Sequence, residues 1–71
     1  MEPNSILLAV LIHLGTISSP NTYTTCTISQ IEHTNHTQVV QTLNDTPLMN
    51  YIIAEYEDEV QLISVNEQEC Q

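Results

Sequence analysis

Hydrophobic and polar positions divide the chain into one apolar N-terminal run and several shorter patterned segments. The run covers residues 6–14 and is interrupted only by His13. A bilayer-spanning helix needs about 20 apolar residues, whereas the apolar region of a secretory signal peptide needs about 7 to 15. The length of the run therefore predicts a signal peptide and not a membrane span.

The residues after this run favour cleavage by a signal peptidase. Gly15 interrupts a helix, and Thr16 and Ser18 are small residues of the kind that the peptidase accepts. We predict a signal peptide of residues 1–18 and a mature domain of residues 19–71. The first five residues carry no Lys or Arg, which is atypical of a signal peptide. The alternatives are an apolar helix or strand in the core of a cytosolic mini-domain, or an uncleaved membrane anchor.

Two segments of the mature region show a strand-like pattern. Residues 22–31 are rich in β-branched side chains, and their alternation places Cys26 and Ile28 on one face. Residues 37–43 follow a polar stretch and alternate more weakly. We therefore expect a small β-rich or α+β mini-domain after the signal helix.

The segment after residue 43 allows two interpretations. Residues 44–47, Asn-Asp-Thr-Pro, are typical of a turn. Residues 51–56 and 60–65 are rich in Ile, Val and Tyr, which favours two strands. The alternative is a helix with Thr46 as its N-cap and Pro47 in its first turn. Its apolar stripe would consist of Met49, Ile52, Ile53, Tyr56, Val60 and Ile63.

The predicted mature domain is short for a chain that folds alone. Domains of fewer than about 70 residues bury little apolar surface and usually need a cross-link, a metal or a partner. A helical hairpin and partial disorder are therefore the alternatives to the β-rich fold. Cys26 and Cys70 are the only cysteines, and in an oxidising compartment they predict one disulfide. The same two cysteines also permit a disulfide-linked dimer.

The charge of the chain excludes several classes of partner. It has nine Asp and Glu residues, no Lys or Arg, and a formal net charge of −9. Nucleic-acid binding depends on Lys and Arg that neutralise phosphates, and attraction to anionic lipid depends on the same residues. Electrostatics permits a cationic protein surface or a divalent metal as a partner, although the charge more simply keeps the chain soluble.

Two asparagines satisfy the N-glycosylation rule of Asn followed, two residues later, by Ser or Thr. They are Asn35, in Asn-His-Thr, and Asn44, in Asn-Asp-Thr. We expect Asn35 to be the better acceptor, because Pro47 directly follows the second motif and stiffens the chain.

Signals for metal binding and catalysis are weak. His33 and His36 are three residues apart beside Glu32, so one helical turn would bring both imidazoles to one face. They lack a fourth ligand at a recognisable spacing, and we interpret them as exposed polar residues. The single glycine, Gly15, leaves no phosphate-binding loop and no nucleophile elbow. We therefore expect neither an enzyme nor a cofactor.

The segment from residue 39 to residue 51 carries a family resemblance. Residues 39–43, Val-Val-Gln-Thr-Leu, followed by Thr46, Pro47 and Tyr51, are similar to part of the secretoglobins. The resemblance covers less than a quarter of the chain. It implies a small secreted helical dimer that carries a lipophilic ligand.

The residues themselves predict a different kind of function. We expect a secreted, acidic, non-enzymatic glycopolypeptide that acts as an extracellular binding or signalling module. Tyr51, Ile53 and Tyr56 are the apolar residues predicted to meet an unknown protein partner. A further alternative is a truncated N-terminal fragment of a larger cell-surface or viral glycoprotein, without a function of its own.

Overall fold

Helices make up most of the chain in the computed structural model, which describes residues 3–71. Met1 and Glu2 of the predicted signal peptide lie outside the described residues. Four helices and two short strands follow one another along the described chain: α1 (Pro3–His13), β1 (Asn21–Thr24), α2 (Thr25–Thr34), α3 (His36–Leu43), α4 (Thr46–Gln61) and β2 (Ile63–Asn66).

The predicted β-rich fold is wrong, and the helical alternative fits. The strand expected at residues 22–31 begins as β1 but continues as α2 from Thr25. The side-chain oxygen of Thr24 accepts a hydrogen bond from Thr27 N at 3.1 Å, and this N-cap starts the helix. The strand expected at residues 37–43 is α3. Local enrichment in β-branched residues was outweighed by capping and by packing against the other helices.

The segment after residue 44 adopts the helical alternative. Asp45 is the N-cap of α4, and its Oδ1 accepts a hydrogen bond from Leu48 N at 3.1 Å. Thr46, which was predicted as the cap, is the first helical residue, and Pro47 lies in the first turn, where no backbone donor is needed. The strand predicted at residues 51–56 is therefore wrong. Most of the predicted apolar stripe lies on α4 and faces the core, because Met49, Ile52 and Val60 are buried and Ile53 and Tyr56 are half-buried. Ile63, the last residue of the predicted stripe, is buried but belongs to β2.

α1 lies at the centre of the hydrophobic core. Ala9, Val10 and Leu11 have no exposed surface, and Leu8 is 8% exposed. Four consecutive buried residues cover more than one face of a helix, so neighbouring elements surround α1 on several sides. Its main neighbour is α4, where Ile52 is also fully buried, and α3 adds a smaller contact. In the described chain the apolar run is thus a core helix, while its cleavage as a signal peptide stays a prediction.

α1 ends in a hydrogen-bonded turn that includes the predicted cleavage segment. Gly15 has a φ of 77°, a conformation that glycine adopts readily. Gly15 N donates to Ile12 O at 2.9 Å and Thr16 N donates to Leu11 O at 3.1 Å, which is the Schellman pattern. Ile17 is buried, so residues 16–17 pack as part of the fold. None of the helices between residues 3 and 71 has the length and apolar character that crossing a membrane requires.

β1 and β2 form a two-stranded parallel sheet. Asn21 lies opposite Ile63, and the register continues to Thr24 opposite Asn66. Parallel strands need a long crossover, which α2, α3 and α4 provide. Because both strands run in one direction, the residues after β2 lie beside the start of α2.

Candidate functional site

The C-terminal tail is fastened to the first turn of α2. Cys26 and Cys70 form a disulfide with their Cα atoms 4.9 Å apart, which confirms the predicted pairing. Gln68 O accepts hydrogen bonds from Cys26 N and from Thr25 Oγ1, each at 3.0 Å, and Gln68 N donates to Thr25 Oγ1 at 2.9 Å. We call Thr25, Cys26, Gln68 and Cys70 the clamp. Since both cysteines are used within one chain, a disulfide-linked dimer would require this bond to open.

A small apolar cleft opens beside β2. It has a volume of about 150 Å³ and is lined by Asn4, Leu7, Leu8, Thr25, Ile28 and Val65. A cavity of this size accommodates one benzene-sized group, whereas pockets for small-molecule ligands usually measure about 300 to 1,000 Å³. The cleft therefore gives no support to the lipophilic cargo that the secretoglobin resemblance implied.

An aromatic and acidic surface runs along α4 and meets the end of α1. Tyr51 is 54% exposed and Tyr56 is half-buried. The ring of His13 lies 6.4 Å from that of Tyr51 and 5.9 Å from that of Tyr56, measured between centroids, and both pairs are edge-to-face. Together with the nearby carboxylates of Glu55 and Glu59, these three rings form what we call the aromatic–acidic surface.

The environment of Tyr56 shows the electrostatic character of this surface. Partial desolvation is the largest cause that raises the pKa of the Tyr56 phenol, followed by the neighbouring Tyr51, Glu59 and Glu55. The two carboxylates disfavour a negatively charged phenolate, and no Lys or Arg offsets them. The same negative potential attracts a cation, and an exposed tyrosine ring adds a cation–π attraction. The surface is therefore suited to cationic side chains.

The two predicted glycosylation sites lie at the two ends of α3. Asn35 is half-buried, and its Nδ2, the atom that would carry the glycan, donates a hydrogen bond to Ile31 O at 2.8 Å. Asn44 is exposed and follows the last turn of α3. In the folded chain Asn44 is thus the more accessible of the two side chains. Glycosylation of either residue stays a prediction.

The two predicted metal-ligand candidates belong to different helices. His33 is in the last turn of α2 and His36 is the first residue of α3, and both are exposed. His36 Nδ1 lies 2.7 Å from Glu32 Oε1, a contact that is an ion pair only when the imidazole is protonated. Within residues 3–71 no group of three or more His, Cys, Asp or Glu side chains is placed to hold a metal ion.

Sequence reasoning missed two residues of these surfaces. His13 was assigned to the apolar targeting run. It is the one polar residue of that run, and this was the signal that could have identified it as part of a surface. Val65 was assigned to a strand, but nothing local shows that this strand has an open edge next to a cleft.

Comparison of the chain with protein-family models, with curated proteins and with solved structures finds no match.

Proposed function

We propose that the protein is a secreted, non-enzymatic binding module whose aromatic–acidic surface contacts a cationic protein partner. The observation that carries this proposal is the exposed Tyr51, whose ring lies with that of Tyr56 against His13, next to the carboxylates of Glu55 and Glu59. The disulfide supports an oxidising, extracellular setting, because such bonds are rare in the cytosol.

Binding on this surface would combine several weak contacts. A Lys or Arg side chain over an exposed tyrosine is worth about 0.5 to 1 kcal/mol, and an exposed ion pair is worth about 0.2 to 1 kcal/mol. Selective binding therefore needs several cationic side chains at once. The net charge of −9 would mainly speed the encounter, and this contribution would weaken as salt is added.

An NMR titration with an arginine-rich peptide tests the proposal. We expect chemical-shift changes centred on Tyr51 and Tyr56, and we expect Tyr51→Ala to weaken binding. The double variant Glu55→Gln/Glu59→Gln should weaken binding more than Glu57→Gln/Asp58→Asn, which removes the same charge from neighbouring positions of α4. Equal weakening by the two double variants would show that only net charge matters, and would overturn the proposed site.

Secretion has a separate test, namely expression of the full chain in eukaryotic cells followed by intact mass analysis. The proposal expects an oxidised product in the medium, and a cytosolic product with free thiols would contradict it. The same mass shows whether the chain begins at Met1 or Ser19. A Ser19 start removes His13 and the helix that packs against α4, and would contradict the proposed surface. Deglycosylation shows whether Asn35 or Asn44 carries a glycan.

A further inference from the structure

β2 has one edge that pairs with β1 and one edge that is open. Leu62 O accepts a hydrogen bond from Asn21 N at 3.4 Å. This bond identifies which residues of β2 direct their backbone N–H and C=O groups towards β1. Alternate residues of a parallel strand face the partner strand, so Ser64 and Asn66 face β1. The backbone N–H and C=O of Val65 consequently point away from β1, and no other strand between residues 3 and 71 pairs with this edge.

The open edge lies next to the apolar cleft. Val65 is 39% exposed, and its side chain lines the cleft together with Leu7, Leu8 and Ile28. Ile63 is buried two residues earlier, so Ile63 and Val65 share the face of the sheet that is turned towards the helices. A further strand added at Val65 would direct every second side chain to that same face. One branched apolar side chain of such a strand matches the volume of the cleft.

Charge decides which occupant fits this edge. Glu67 and Glu69 follow β2 directly and are exposed, and the clamp holds this acidic tail close to the sheet. Pairing with the same edge of a second copy would bring like charges together, since the chain has no Lys or Arg to compensate. A segment that carries Lys or Arg would instead be attracted to Glu67 and Glu69.

We propose that the open edge of β2 binds an extended, cationic segment of a partner polypeptide by strand addition. Backbone hydrogen bonds to Val65 supply the pairing, one branched apolar side chain fills the cleft, and basic side chains approach Glu67 and Glu69. This site is separate from the aromatic–acidic surface of α4, and it does not depend on the function proposed for that surface.

A capped peptide that alternates lysine and valine is the first probe, tested on the full, oxidised chain. We expect it to slow hydrogen exchange of the Val65 amide and to shift the methyl signals of Leu7 and Ile28. A peptide that alternates lysine and serine should bind about tenfold more weakly or worse, because it cannot fill the cleft. A peptide that alternates glutamate and valine should not bind.

Two substitutions at one position separate the backbone from the side chain. Val65→Pro removes the outward N–H without removing a hydrogen bond to β1, and it should abolish binding. Val65→Thr keeps the N–H and the β-branched shape, and it should bind the peptide with reduced affinity. Because Val65→Thr preserves the strand, it remains informative if the proline variant fails to fold.

Charge variants and the location of binding complete the test. Glu67→Gln/Glu69→Gln should weaken binding more than the matched double variant Glu57→Gln/Asp58→Asn. Shifts confined to Tyr51 and Tyr56, with Val65 unchanged, would overturn strand addition while leaving the proposed function intact. Concentration-dependent protection of the Val65 amide without peptide would identify a second copy as the occupant, and would also overturn it.

Discussion

The helical core and the clamp hold the chain together by different means. In the core, α1 packs against α4 with Val10, Leu11 and Ile52 completely buried, and apolar burial is the source of stability. In the clamp, Cys70 is exposed and Cys26 is half-buried, and three hydrogen bonds and a covalent bond make the connection. We therefore expect the packing of α1 against α4 to persist without the disulfide, whereas the attachment of the tail to α2 should be lost.

The largest effect is expected from removal of residues 1–18, which leaves the clamp intact. This removes Leu8, Val10, Leu11 and Ile17 from the core and uncovers the apolar face of α4. We expect the oxidised 19–71 chain to lose cooperative thermal unfolding and most of its helical circular dichroism. A 19–71 chain that melts like the full chain would show that α1 is dispensable, and that signal cleavage leaves the fold unchanged.

A single core truncation should have the next largest effect. Ile52→Ala creates a cavity between α4 and α1 and should lower the free energy of unfolding by about 2 to 5 kcal/mol. Leu62→Ala is the control, since Leu62 is exposed and its truncation should cost about 0.5 kcal/mol or less. Urea unfolding followed by circular dichroism measures both, and similar losses for the two variants would contradict the assigned core.

Opening the disulfide should lower stability but leave the helices folded. The bond joins residues 44 positions apart, and its removal in Cys70→Ser should lower the free energy of unfolding by at most about 4 kcal/mol on the chain-entropy model. Reduction of the unmodified chain should give the same melting temperature as the variant. A random-coil spectrum for Cys70→Ser at low temperature would mean that the cross-link, and not α1, maintains the fold.

The N-cap of α4 makes a smaller contribution. Asp45→Ala removes the acceptor for Leu48 N and should lower the free energy of unfolding by about 1 kcal/mol. Asp45→Asn keeps a capping side chain and should recover most of this loss. Thermal melting of the two variants distinguishes capping from a simple change of charge, because both substitutions remove the same carboxylate.

The smallest expected effect is a decrease in the free energy of unfolding at alkaline pH. The pKa of Tyr56 is raised in the folded chain, so the folded state holds this proton to a higher pH than the unfolded state does. Stability from this group is therefore complete below the ordinary tyrosine pKa of about 10 and declines as the pH rises through the folded value. Urea unfolding at increasing alkaline pH should show this decline, and Tyr56→Phe should make it less steep.

The sequence predicted individual features better than it predicted the fold. The two cysteines and the predicted oxidising compartment led to the disulfide, and Thr46, Pro47 and the apolar periodicity after them identified α4 as an alternative. α2 and α3 were predicted as strands because Thr, Ile and Val favour strands locally. The Thr24 cap and tertiary packing stabilise helices there instead. The parallel pairing of β1 with β2, and with it the open edge at Val65, depends on contacts some 40 residues apart, which no local pattern reveals.

The length of the apolar run also could not distinguish a targeting segment from a core helix. A signal region of about 7 to 15 apolar residues and a short helix buried on all sides require the same composition. The two roles have different consequences here, because cleavage after Ser18 would remove the helix against which α4 and, to a smaller extent, α3 are packed. A mature 19–71 chain would then need another apolar surface to cover α4.

Hydrogen exchange of the full chain before and after reduction tests the central claim most directly. If the core is independent of the clamp, reduction will leave the amides of Leu11 and Ile52 protected, while the Cys26 amide, which donates to Gln68 O, will exchange nearly as fast as in an unfolded chain. Loss of protection at Leu11 and Ile52 together with Cys26 would contradict the claim, and would show that the disulfide holds the whole fold.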